Sequence, residues 1–261
     1  MSYGDKTIDF SNSFDIEFKN VSFKYPGSDY YALKNINLKI DNGTKLAIVG
    51  RNGSGKTTLV KLMCRFYDVT KGEILINGVN IKDYTQESIM QLYSVVFQDF
   101  KMFSLPLYQN LSGNDSINIK KLSECLEQAN IKARVEKLPN KEHTYLYKDI
   151  DENGVEISGG EAQKLALARA LYKDAPIVVL DEPTAALDPL AENDMYSRFN
   201  SFVKGRTAIY ISHRLSSCVF CDKIAVFQNS QLVEYGTHKS LLDKQGEYFE
   251  LWNSQAKYYL K

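Results

Sequence analysis

Leu46-Ala47-Ile48-Val49-Gly50-Arg51-Asn52-Gly53-Ser54-Gly55-Lys56-Thr57-Thr58-Leu59 is the stretch that decides the fold. The short apolar run Leu46-Ala47-Ile48-Val49 is of the kind buried on both faces of a sheet, and it stops at a glycine-rich turn. Then the apolar period changes. Leu59, Leu62, Met63 and Phe66 recur at i, i+3, i+4 and i+7, one face of a helix starting near Lys56. Between strand and helix, residues 50–57 fit G-x-x-x-x-G-K-[ST] in full. Glycines in such a turn let backbone N–H groups curl around phosphate oxygens at a helix N-terminus, where unpaired donors and the helix dipole favour an anion. In that reading Lys56 reaches the β- and γ-phosphates of a nucleotide and the Thr57 hydroxyl holds Mg²⁺. The bland alternative is an ordinary glycine-rich turn, and the flanking strand and helix argue against it.

Working outward, Phe14, Ile16 and Phe18 alternate with polar residues, as do Ile36, Leu38 and Ile40 after the turn-forming Pro26-Gly27. These read as antiparallel strands with one wet face. From about residue 100 to 172 the signals are mostly helical, for example Leu122, Cys125, Leu126 and Ala129 on one helix face. Strand patterns return at Ile177-Val178-Val179-Leu180, Ala208-Ile209-Tyr210-Ile211, Ile224-Ala225-Val226-Phe227 and, after the Asn229-Ser230 turn, Leu232-Val233-Glu234-Tyr235. From about Lys239 the chain reads as helical and aromatic-rich. The expected fold is α/β: a P-loop NTPase core with an antiparallel β-subdomain and an inserted α-helical subdomain.

The chain has 261 residues, with 32 Lys plus Arg against 32 Asp plus Glu. No global basic field is available to hold a nucleic acid backbone. The longest aliphatic run falls far short of the roughly 20 residues needed to cross a bilayer, so this stretch of chain is not expected to span a membrane. Met1-Ser2-Tyr3-Gly4-Asp5-Lys6 leads into polar sequence without an apolar signal segment, which predicts a chain that folds in the cytosol or was cut from something longer. Cys64, Cys125, Cys218 and Cys221 do not make a disulfide scaffold. Cys218 and Cys221 form a lone C-x-x-C without a second pair or a histidine at zinc-finger spacing, and read as simple thiols.

Two more stretches carry chemistry. Ile177-Val178-Val179-Leu180-Asp181-Glu182 puts two acids at the end of a buried strand, where ligands of open α/β sheets gather. Asp181 is the expected partner of Mg²⁺, while Glu182 accepts a proton from an attacking water. A solvated Asp-Glu-Pro turn, stopped by Pro183, is the alternative for those acids alone. Ile157-Ser158-Gly159-Gly160-Glu161 opens an amphipathic helix, and Ser158 with Glu161 forms an S-x-x-E capping box. The same helix start offers a second anion site. Two phosphate-seeking surfaces in one chain imply a head-to-tail pair sharing two ATP molecules.

At this point the chain resembles the nucleotide-binding domain of ATP-binding cassette (ABC) transporters, over nearly its whole length and with motifs in the family's order. Walker A matches residues 50–57 and Walker B residues 177–181. The Q-loop matches Gln98 in Val95-Val96-Phe97-Gln98-Asp99, and the signature matches residues 157–161. The D-loop matches Asp188 in Ala185-Ala186-Leu187-Asp188, and the switch histidine His213 in Ile211-Ser212-His213-Arg214. The adenine-stacking aromatic matches Tyr25 in Val21-Ser22-Phe23-Lys24-Tyr25-Pro26.

The resemblance implies that Tyr25, Gly50, Arg51, Asn52, Gly53, Ser54, Gly55, Lys56, Thr57 and Thr58 bind ATP, and that Thr57, Gln98 and Asp181 hold Mg²⁺. It casts Glu182, His213, Lys56 and Gln98 as the catalytic set. Ser158, Gly159, Gly160 and Glu161 would contact ATP bound to the other chain. By this resemblance residues 1–12 are a linker or N-terminal extension and 13–261 the ABC ATPase domain. Residues 13–98 and 173–261 are its core and β-subdomain, and about 99–172 its helical subdomain.

Two departures stand out. The signature reads Ile-Ser-Gly-Gly-Glu where the family's commonest form is Leu-Ser-Gly-Gly-Gln, so Glu161 brings a negative charge towards a γ-phosphate. Asp151-Glu152-Asn153-Gly154 resembles the exporter X-loop Gly-Glu-x-Gly with Asp151 in place of glycine. That X-loop and the tail with Tyr235, Gly236, Tyr248 and Trp252 point to exporters. The implied function is therefore the ATP-hydrolysing domain of an ABC exporter, at the cytoplasmic face of the cell membrane. Its partners would be a second nucleotide-binding domain, identical or different, and a transmembrane domain that also carries the cargo specificity; no nucleic acid partner is expected. The alternatives are a soluble ABC ATPase outside transport and a regulatory cassette that binds ATP with little turnover.

Overall fold

The computed structural model describes residues 3–182, 203, 205–212 and 214–259. It divides into two compact units, one of Met1–Tyr93, Pro176–Asp181 and Gly205–Lys261, the other of Ser94–Ala175 and Glu182–Lys204.

The first unit holds two sheets. Strands β1 (Ile16–Phe23), β2 (Leu33–Ile40), β4 (Lys71–Ile76) and β5 (Val79–Asn80) form an antiparallel sheet in the order β2-β1-β4-β5. Its register pairs Ile16 with Ile40 and Phe18 with Leu38. Leu33, Ile36, Leu38 and Ile40 are buried, and the polar residues of β2 face outward, as period-2 alternation demands. Asn77 and Gly78, both left-handed, close the β4–β5 hairpin.

The second sheet of this unit contains β3 (Lys45–Gly50), β7 (Ile177–Asp181), β8 (Thr207–Ile211), β9 (Lys223–Gln228) and β10 (Gln231–Gly236). Within the unit the order is β10-β9-β3-β8-β7. Strand β3 runs parallel to β8 and β9, and β7 parallel to β8. Continuous apolar runs such as Ile177-Val178-Val179-Leu180 are fully buried there, the pattern of a sheet covered on both faces. Strand β10 is antiparallel to β9, and the left-handed pair Asn229 and Ser230 makes the turn between them.

Helix α1 (Lys56–Met63) starts where the change of period predicts, but it is shorter than the apolar stripe. Cys64 caps it, Arg65 turns left-handed at φ 52°, and Phe66 is 49% exposed instead of continuing the buried face. The cause is Arg65, whose buried guanidinium bonds Asp68 and the carbonyls of Ile81 and Lys82. A short helix α2 (Gln86–Leu92) follows, capped by Thr85. The N-terminal segment lies along this region, with Gly4 N donating to Lys82 O and Thr85 N to Lys6 O. The unit ends in α7 (His238–Lys244) and α8 (Glu247–Tyr259).

In the second unit, strand β6 (Tyr93–Val96) leads into helices α3 (Leu107–Ser112), α4 (Ile119–Gln128), α5 (Lys132–Val135) and α6 (Gly159–Lys173). Helix α6 packs against α3 and α4 and buries Leu165, Leu167, Ala168 and Leu171. Leu122, Cys125, Leu126 and Ala129 form the buried face of α4. Arg169 ties this unit together, donating to Asn110 O at 2.7 Å and Lys101 O at 3.2 Å. All four cysteines are buried and in no disulfide, and burial pushes Cys125 up to about 11. Among the described residues no helix is long and apolar enough to cross a membrane.

Candidate functional site

In the first unit the phosphate-type loop leaves the carboxyl end of β3, between β9 and β8 in the sheet order. That is the switch point at which open parallel sheets bind ligands. Two of its glycines are required by space as well as by φ. At Gly50 (φ 146°) a Cβ would lie 2.1 Å from Phe227 O, and at Gly55 (φ 105°) it would lie 2.7 Å from Ala32 O. Gly55 caps α1 without a side chain, and the first intrahelical bond runs from Leu59 N to Gly55 O at 2.9 Å. The first-turn N–H groups therefore have no intrahelical carbonyl and are available to an anion.

Lys56 is 6% exposed, and its ammonium donates to Gly50 O at 3.0 Å and Arg51 O at 3.2 Å. The cation is thus held over its own loop in a partly desolvated setting. The buried Ser54 hydroxyl has no hydrogen-bond partner among the described residues, an orphan that a phosphate oxygen would satisfy. Arg51, Asn52 and Gly53 are exposed, Thr57 is half-buried and Thr58 buried. Thr58 Oγ1 and Tyr25 Oη are 3.0 Å apart. The Tyr25 ring meets Phe23 and Tyr67 edge-on, with centroids 4.9 and 5.2 Å away. Tyr25 is therefore fixed in orientation by its hydroxyl and by two neighbours. Tyr67 carries no sequence signal for this role, because it lies beyond the helix in an irregular turn.

Asp181 ends β7, fully buried. Through β8 it shares a register line, Asp181 with Ile211 and Ile211 with Ile48. It lies at the same sheet edge as the loop, two strand spacings or about 10 Å across. Thr57 and Asp181 supply hard oxygen donors, the set that Mg²⁺ takes, and with the glycine-only backbone and the Ser54 hydroxyl they fit a Mg-nucleotide. His213 and Asp188 lie outside the described residues.

In the second unit, Gln98, Glu182, Gly159 and Gln163 line one cavity of about 540 Å³. Gln98 is exposed and Glu182 half-buried. Glu182 holds a left-handed backbone at φ 52°, a conformation that costs a non-glycine residue roughly 1 kcal/mol or more and tends to occur at functional positions. Gln163 is buried, and its Oε1 has no partner among the described residues. Nothing in its spacing singles it out, because a buried glutamine on an amphipathic helix reads as polar surface.

Ser158 is the N-cap of α6. Its Oγ accepts from Glu161 N at 3.3 Å, and Ser158 N donates to Glu161 Oε2 at 2.8 Å, the capping box that the sequence predicts. Gly159 and Gly160 open the helix. Arg134 Nε adds a bond to Glu161 Oε1 at 2.6 Å. The Ser158 N–H first and the Arg134 guanidinium next hold the Glu161 carboxyl below its ordinary value, against the opposing effect of partial burial. Asp151 closes its own turn, its carboxylate accepting from Asn153 N at 2.9 Å and its carbonyl from Gly154 N at 2.8 Å.

The model of the family described as "ABC transporter" matches residues 33–185. The chain belongs to the ABC transporter family. It is an exporter-type nucleotide-binding domain with the ABC ATPase fold, similar to a bacterial Atm1-family ABC exporter solved with ATP bound, at a TM-score of 0.89 and 34% identity. That match covers 98% of this chain and 45% of the other. ABC transporter B family member 6 of Dictyostelium discoideum is 42% identical over 248 residues, which is 92% of this chain and 36% of that protein. The ATP-dependent lipid A-core flippase of Idiomarina loihiensis is 40% identical over 97% of this chain and 43% of its own length. The flippase of Escherichia coli K12 is 41% identical over 92% of this chain and 41% of its own. This ABC domain thus spans about two fifths of the length of the relatives it matches.

Proposed function

We propose that this ABC domain hydrolyses ATP as one of two nucleotide-binding domains arranged head to tail, and that it drives export by a transmembrane domain at the cytoplasmic face of a membrane. The observation that carries the reading is the loop of residues 50–57. Its Gly50 and Gly55 admit no side chain, its Ser54 hydroxyl has no partner among the described residues, and its lysine is curled over the loop carbonyls. Those are the features of a backbone cradle made for phosphates.

In this reading Lys56 exchanges the Gly50 and Arg51 carbonyls for β- and γ-phosphate oxygens. Tyr25 offers its π face to adenine. Thr57, Asp181 and Gln98 would hold Mg²⁺, which when bound neutralises charge on the β- and γ-phosphates. Glu182 accepts the proton of a water that attacks the γ-phosphorus in line; the bond to the β–γ bridging oxygen breaks, and ADP and phosphate leave. His213 holds the water and Glu182 in register. Ser158 and Gly160 face the ATP of the other domain. The flippases and the Atm1-family exporter named above support the exporter branch.

ATP binding and turnover, measured on the chain and two variants, test this. Lys56→Ala should weaken ATP binding by about 2 kcal/mol, roughly thirtyfold, the worth of a charge-assisted hydrogen bond to phosphate. Glu182→Gln should keep binding and lose turnover. Unchanged affinity in the first variant or wild-type turnover in the second would contradict the assignments.

A further inference from the structure

The N-terminus of α6 carries an apparent contradiction. A helix start that is to face a phosphate should be free of fixed negative charge, yet Glu161 sits in its first turn and binds the Ser158 N–H at 2.8 Å. Left alone, that carboxylate would take up one of the donors and repel an incoming phosphate. It is not alone. Arg134, projecting from α5, closes on its other oxygen at 2.6 Å. The pair is anchored at both ends. Val135 is buried beside Arg134 and fixes α5, and the capping box fixes the Glu161 side chain.

We propose that Arg134 is a positioning residue for ATP-driven pairing: it cancels the Glu161 charge, so that the carboxylate acts as a cap while the Ser158 hydroxyl and the glycine N–H groups serve the γ-phosphate held by a second copy of this domain. This rests on the head-to-tail reading above. The Ser158 hydroxyl accepts from Glu161 N, which leaves its own proton to donate. A guanidinium has five N–H donors, so Arg134 keeps donors beyond the one spent on Glu161. A neutral side chain at 161 would need no such partner, and the requirement for Arg134 should disappear with the charge.

The test is a double-mutant cycle in the Glu182→Gln background, with ATP-dependent dimerisation followed by sedimentation. Arg134→Ala should raise the ATP concentration for half-dimerisation by about fivefold, the upper range for a partly exposed charge pair. Arg134→Lys should restore most of the loss. Glu161→Gln should dimerise at or below the parent's ATP concentration. The combined Arg134→Ala, Glu161→Gln protein should match Glu161→Gln alone. A double variant as poor as Arg134→Ala would mean that Arg134 only supports the fold of α5, and would overturn the inference, as would an Arg134→Ala protein equal to its parent. A parent that forms no ATP-dependent dimer would overturn the head-to-tail reading and this inference with it.

Discussion

Gly50 stands at φ 146°, and an added Cβ would lie 2.1 Å from the carbonyl oxygen of Phe227, a backbone atom of the neighbouring strand that cannot swing away. Gly50→Ala should therefore cost at least about 1 kcal/mol of folding stability and open the loop, with nucleotide affinity falling in the same variant. A thermal melt with and without ATP checks both, and an unshifted melt would remove the steric argument. Lys56 and Ser54 were legible in the sequence because a motif fixes their spacing, and the loop geometry follows from where the strand ends and the helix begins. Tyr67 and Arg134 were not legible. Both act through contacts made in three dimensions, Tyr67 on the ring of Tyr25 and Arg134 on Glu161, and neither lies within a periodic pattern that marks its partner.

Helix α6 shows what a local signal can deliver. The spacing of Ser158 and Glu161 predicts the capping box, and both of its hydrogen bonds form. Because contacts in the fold depress the Glu161 carboxyl below its ordinary 4.5, its contribution to stability is complete above that value and is lost as pH falls through the depressed folded value. Chemical denaturation of wild type and Glu161→Ala between about pH 6 and pH 3 should show a stability gap that closes in acid. A gap that widens in acid would reverse the sign of the linkage.

At the other end of the chain, buried Glu234 in β10 accepts from Tyr248 N at 2.9 Å and pairs with Lys244 at 3.4 Å, so it fastens α7 and α8 to the sheet. Glu234→Ala leaves a buried N–H unpaired and should cost about 2 kcal/mol, read as a lower denaturation midpoint; a neutral result would mean that the helices hold without it. The strand patterns after residue 176 were readable because buried parallel strands are continuous apolar runs. Strand β4 and helix α2 were not, since a half-polar strand such as Lys71–Ile76 lacks a clear period. The apolar stripe through Phe66 misled for a related reason. Periodicity cannot register the buried Arg65 that ends α1.

For the molecule as a whole, the balance of 32 Lys plus Arg with 32 Asp plus Glu leaves no net charge to steer a partner, and the recognition proposed above rests on local surfaces, the loop at Gly50 and the start of α6. The chain spans about two fifths of the length of the relatives it matches, and in the function proposed above its contribution is the use of ATP. The central claim is that each ATP is completed by two chains. The direct test is ATPase rate per chain against protein concentration, for the wild type and Glu182→Gln side by side. A rate that rises with concentration, saturates, and vanishes in the variant is the expected result. A rate per chain that stays constant with dilution, or that survives in Glu182→Gln, would contradict composite sites and the Glu182 base respectively.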